Sequence, residues 1–164
     1  MKKFISKNFK KTEGFTLIEI LVVIGIIAVL AAIVIVAINP AKQFAQARNT
    51  QRTSNTASIL NAIGQRMADN KGVFAGSFTI GANTYTCPTI VNDGIDNAGG
   101  GTGLNLSCLV PTYISSLPID PAGTTSPDIG YTVAVDATGR VTVCAPASLG
   151  ETSLPVGPSI CITR

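Results

Sequence analysis

Lys10-Lys11-Thr12-Glu13-Gly14-Phe15-Thr16-Leu17-Ile18-Glu19 runs directly into nineteen uncharged residues, Ile20 to Ile38. A secretory signal has its cleavage site after the apolar region, at an Ala-x-Ala-like sequence. Here the small residue, Gly14, stands before the apolar region and behind a basic block of Lys2, Lys3, Lys7, Lys10 and Lys11. Composition alone is equally met by an uncleaved signal anchor with its lysines held inside. From Phe15 to Ile38 the segment has 24 residues, roughly 36 Å as a helix. That length crosses a hydrocarbon core of about 30 Å. The segment is apolar all round rather than along one stripe, so a membrane span is expected over about residues 15–38.

Glu19 is the anomaly in that span. A carboxylate at membrane depth is costly and calls for a partner or a function. It can sit at the interface and reach water. Alternatively, cutting the peptide bond after Gly14 gives Phe15 a new ammonium at the same depth. In an assembly of staggered spans, the ammonium of one copy then meets Glu19 of its neighbour.

Gly14-Phe15-Thr16-Leu17-Ile18-Glu19 and the apolar run behind it resemble the class III signal of type IV pilins and pseudopilins. The likeness is close over about residues 10–38 and extends to the remainder only in layout. It implies a pilin fold: a long N-terminal α-helix, membrane-spanning in its first half, packed against a small C-terminal antiparallel β-sheet, an α+β chain. It also implies that Gly14 is the cleavage residue, that Phe15 is N-methylated, and that Glu19 serves methylation and subunit registration. The implied partners are further copies of the chain in a filament, a prepilin peptidase/methyltransferase, the inner-membrane assembly machinery, and membrane lipid before assembly. The implied location is a single-pass cell membrane protein with its N-terminus cytoplasmic, then an extracellular or periplasmic filament. The family often carries a kinking proline within the span, whereas the first proline here is Pro40.

The expected organisation is a leader over 1–14, a helix over 15–71 and a β-rich globular domain over 72–164. Pro40 removes one helical hydrogen bond; a bent continuous helix is favoured over a true break. Phe44, Ala47, Ile59, Leu60, Ile63 and Met67 recur at helical spacing and are expected against a sheet. Lys42, Arg48, Arg52 and Arg66 read as solvated or as pairing with neighbouring copies, and no aromatic residues interleave them to suggest nucleic acid. Asn70-Lys71-Gly72 is a helix stop. Phe78–Ile80 and Tyr85-Thr86 form a hairpin about Gly81-Ala82-Asn83, and Tyr131–Val135 pairs with Arg140–Cys144 about a Gly-bearing turn. Asn92 to Gly103 reads as a flexible exposed loop; its Asp/Asn spacing is similar to a calcium loop but lacks the full ligand set. Leu109 to Ile119 is a connector carrying a short helix. The Pro118-Ile119-Asp120-Pro121 segment is similar to one that pseudopilins and related pilins often carry before their terminal strands. Ser159 to Thr163 is a last strand.

The net charge of +3 comes from the leader: without residues 1–14, which hold five lysines and Glu13, it falls to about −1. A basic partner-binding surface is therefore not implied. Cys87, Cys108, Cys144 and Cys161 all lie beyond the span, where an even count favours disulfides. Three pairings are possible, and proximity favours Cys87 with Cys108 and Cys144 with Cys161. The chain has no His and no Cys-x-x-Cys, so neither a metal site nor a cofactor is called for. Its serines lack a base and its carboxylates form no catalytic pair, which argues against an enzyme. The reading is a structural subunit of a type IV pilus-like filament. The alternatives are a pseudopilin of a type II secretion or competence system and, behind it, a non-polymerising membrane-tethered binding domain.

Overall fold

A computed structural model describes residues 14–97, 101–155 and 159–164. The leader expectation for residues 1–13 lies outside the described residues. The chain divides into two compact units, Met1–Pro40 and Ala41–Arg164. Helix α1 (Leu17–Ile38) belongs to the first and contains no buried residue. Helix α2 (Pro40–Asp69) runs into the second.

The favoured bent continuous helix is replaced by two helices. Proline disfavours helical backbone at the residue before it, and Asn39 leaves the helix for the left-handed region at φ 47. Asparagine tolerates that region better than most residues. Pro40 then occupies the first position of α2, where its missing N–H costs nothing.

In the second unit α2 packs on an antiparallel framework. Strands β1 (Gly76–Ile80) and β2 (Asn83–Cys87) form a separate hairpin. Its loop is Gly81-Ala82 rather than the expected three residues, because Asn83 already pairs with Ile80. Gly81 supplies the positive φ of 62 that such a tight turn needs. Strands β3 (Asp93–Asp96), β4 (Leu104–Asn105), β5 (Asp128–Val135), β6 (Val141–Ala145) and β7 (Ile160–Thr163) form the main sheet in the order β4-β3-β5-β6-β7. All its pairs are antiparallel except the two-residue pair of β3 with β4.

Strand alternation explains the core. Ile129, Tyr131 and Val133 on β5 and Val141, Val143 and Ala145 on β6 point inward at period two. They meet Ile59, Leu60, Ala62 and Ile63 of α2 in one buried cluster with Ile95, Leu106 and Leu109. Each large apolar side chain among them contributes about 1.5–3 kcal/mol by leaving water.

The first part of the stretch expected as a flexible loop over 92–103 belongs to this sheet, as β3 (Asp93–Asp96). Ile95 is fully buried, and Asp96 turns its carboxylate to the Gly103 amide at 2.9 Å. A Cβ at Gly101 would stand 1.9 Å from Asp96 Oδ2, so the glycines there admit a folded-back carboxylate. Residues 98–100 of that stretch lie outside the described residues. The connector's helix is a single 3-10 turn at Ser107–Leu109, earlier than expected. At the end of α2 Gly72 donates to the Met67 carbonyl at 2.8 Å, as a helix stop requires.

Candidate functional site

The N-terminal end of α1 is built by a capping box. Thr16 is the N-cap, with extended backbone at φ −80 and ψ 151. Its hydroxyl accepts from the Glu19 amide at 3.3 Å and donates to Glu19 Oε2 at 2.8 Å. The Thr16 amide donates to the same Oε2 at 2.7 Å. Two otherwise orphaned amides of the helix end are thus satisfied by one Thr–Glu pair. Both of these bonds from Thr16 fall on Oε2 of the carboxylate.

Gly14 and Phe15 precede the cap and are exposed, Phe15 by 85%. Every large apolar side chain of α1 is at least half exposed. A 22-residue helix whose most apolar 18-residue stretch has mean hydropathy 3.5, and which has no buried face, is long and apolar enough to cross a membrane. An apolar surface of this extent requires lipid or other helices around it. Its single charge is Glu19, two residues inside the helix start.

The prokaryotic N-terminal methylation motif matches residues 9–35. The chain therefore carries the class III signal of type IV pilins and pseudopilins, and the match is confined to this N-terminal stretch. The motif is that of precursors processed by prepilin peptidase and assembled into pilus-like filaments. No curated protein matches the chain, and no solved structure does.

A second constellation lies in the globular unit. Arg52, fully buried on α2, grips Asp120 through Nε to Oδ2 at 2.7 Å and Nη2 to Oδ1 at 2.9 Å. Its Nη1 donates to Glu151 Oε1 and to Asn49 Oδ1. Arg48 takes both oxygens of Glu151 in a fork. Beside them Asn55 donates to the Tyr131 hydroxyl at 2.8 Å. Hydrogen bonds from Arg48 outweigh burial and hold the Glu151 carboxyl down at about 2. Burial pushes Asp120 up, but Arg52 and the Ala122 amide together leave it lowered. Arg52 is raised, chiefly by its bonds to Asp120.

This overturns two expectations. Arg48, Arg52 and Arg66 are not a solvated row: Arg52 and Arg66 are buried and Arg48 is paired. Arg66 lies 4.5 Å over the Phe78 ring and donates to the Gly76 carbonyl. Conversely, Phe44 of the apolar stripe is exposed, as is Ala47, and Ala45 turns inward instead. The sequence signal was available, since Arg52, Asn55, Thr56, Ile59, Ile63 and Arg66 fall on one helical face. A buried carboxylate partner was the missing half, and Asp120 and Glu151 are 68 and 99 residues away.

Cys87 is joined to Cys108 and Cys144 to Cys161. The second pair ties residues directly opposite on β6 and β7. Among the described residues no three His, Cys, Asp or Glu side chains cluster as a metal site. The arrangement can cap, pair and pack; the carboxylates of Asp120 and Glu151 are committed to arginines and amides.

Proposed function

We propose that the chain is the precursor of a structural subunit of a type IV pilus-like filament. A prepilin peptidase cuts after Gly14 and methylates Phe15. The helix anchors the subunit in the cell membrane with its N-terminus cytoplasmic until the assembly machinery extracts it. Polymerisation then buries α1 among neighbouring copies, and the Phe15 ammonium of one copy neutralises Glu19 of the next. The supporting observation is the union of the methylation motif with a helix that hides none of its apolar surface and carries one carboxylate at its start. A buried carboxylate lacking that cation would be destabilising by several kcal/mol, so registration and charge pairing are one event.

Mass spectrometry of sheared surface material tests the reading. An abundant chain running from methylated Phe15 to Arg164 is the expected product. The Asp120 segment favours a second reading, a pseudopilin of a secretion or competence system. That reading predicts the same N-terminus in the membrane fraction and none in the sheared fraction. An uncleaved chain in both fractions rejects both readings.

A further inference from the structure

The two disulfides differ in what surrounds them. Cys87 and Cys108 are 2% and 4% exposed and belong to the buried cluster. Cys144 is half-buried and Cys161 is exposed. The alternation of β6 explains the difference: Val141, Val143 and Ala145 turn to the core, so Cys144 stands on the opposite face. Its cross-strand partner Cys161 lies on β7, the edge of the main sheet, with no strand beyond it among the described residues. Other groups near the bond also meet water. The Thr142 and Thr163 hydroxyls form an exposed pair at 2.8 Å, and the Ser159 hydroxyl lies 3.3 Å from Cys161 Sγ in another exposed contact. What β7 gives the core is slight, for only Ile160 and Ile162 pack against it and both are half-buried.

We propose that Cys161 Sγ is a site of thiol–disulfide exchange, through which a dithiol opens the Cys144–Cys161 bond and unlatches β7. The site lies wholly in the globular unit, so it holds whether or not the chain forms filaments. Exchange requires a thiolate to attack one sulfur directly, and access therefore decides which bond reacts. The first thiolate of the reductant bonds to Cys161 Sγ, and Cys144 leaves as a thiolate that takes a proton from water. The second thiolate of the reductant attacks the reductant's own first sulfur, closes a disulfide there and releases Cys161, which is protonated in turn. Two electrons and two protons pass from the dithiol to the chain. Burial denies the same path to Cys87–Cys108, which a thiolate reaches only through local opening. Without its cross-link β7 opens about a hundredfold more often, the effect of losing the restraint on a loop of this length. The core stays intact, since none of its fully buried side chains comes from β7. The attachment of the C-terminal strand thus answers to the thiols around the chain.

The test uses the full-length chain in detergent micelles, with far-ultraviolet circular dichroism following the fold. Dithiothreitol is added, samples are alkylated at intervals, and peptide mass spectrometry reads each cysteine. Cys144 and Cys161 should become free about a hundredfold sooner than Cys87 and Cys108, with the dichroism unchanged. In that interval hydrogen exchange should accelerate at Ile160–Thr163 and not on β5. Glutathione, a monothiol that cannot close its own ring, reports which sulfur is attacked. It should be found on Cys161, with Cys144 alkylated. Opening of both bonds at one rate, or of Cys87–Cys108 first, overturns the proposal. So does glutathione on Cys144, or unaltered exchange at β7 once its bond is open.

Discussion

Arg52 carries the sharpest consequence of burial. A guanidinium with no exposed surface, gripped by two carboxylates from distant segments, holds α2 to the 118–121 turn and to the segment after Ala145. Such a network adds little over a well-packed apolar replacement, but removing one partner strands a buried charge. Asp120→Ala leaves Arg52 Nε and Nη2 buried without acceptors while Glu151 still pairs the charge, and should cost about 3 kcal/mol in urea unfolding, far more than a surface aspartate. The pH dependence follows from the same pairs. Glu151 titrates lower in the folded chain, at about 2, than in the unfolded one, so its contribution is present above the ordinary carboxylate range. It is lost as pH falls from about 4.5 toward 2. Unfolding midpoints measured from pH 7 down to 2 should stay level until about pH 5 and then fall. Glu151→Gln should lower the midpoint at pH 7 and flatten that acid limb. An unchanged limb would mean that other carboxylates control it.

Elements differ in how far local signals specify them. α1 was legible because nineteen uncharged residues leave a helix no other solvent-free environment. The β5–β6 hairpin was legible because alternation and an Asp136-to-Gly139 turn agree. In the folded chain Asp136 accepts from Thr138 and the Arg140 amide, which hold its carboxyl at about 2. β3 was not legible. Asp93-Gly94-Ile95-Asp96 offers one apolar residue, and only pairing with β5 and β4 gives it a place. Tertiary context overrides strand propensity in such cases. Phe44 failed because the buried face of α2 passes at that level through Ala45, about 100° away around the helix. β7, with four residues at the sheet edge, depends on Cys144–Cys161, which closes a loop 17 residues apart in sequence. Replacing both cysteines by serine should cost about 3 kcal/mol by the chain-entropy estimate. Hydrogen exchange should speed first at Ile160–Thr163, whereas uniform acceleration across the sheet would make the bond a global rather than an edge restraint.

At the scale of the whole molecule, the proposed filament function asks α1 to be satisfied twice, in lipid and then among other copies. The capping box makes the first state tolerable, because Thr16 donates twice to Glu19 Oε2. Helix capping and the proposed charge pairing thus fall on one side chain, and alanine would remove both. Glu19→Gln separates them: glutamine at the third helical position also completes a capping box, but it offers an ammonium no charge. The variant should be cut after Gly14 at the normal rate and reach normal membrane levels, yet enter filaments at a small fraction of the unsubstituted yield. Losing the several kcal/mol of a buried charge pair would reduce incorporation by more than about a hundredfold at equilibrium. Co-expression with the unsubstituted chain sharpens the reading, since the proposed pairing sets the carboxylate of one copy beside the amine of another at each filament position. Chains bearing the glutamine should then appear rarely and shorten the filaments they enter. Glutamine filaments of ordinary length and yield would leave Glu19 as a capping residue and remove charge pairing from the mechanism.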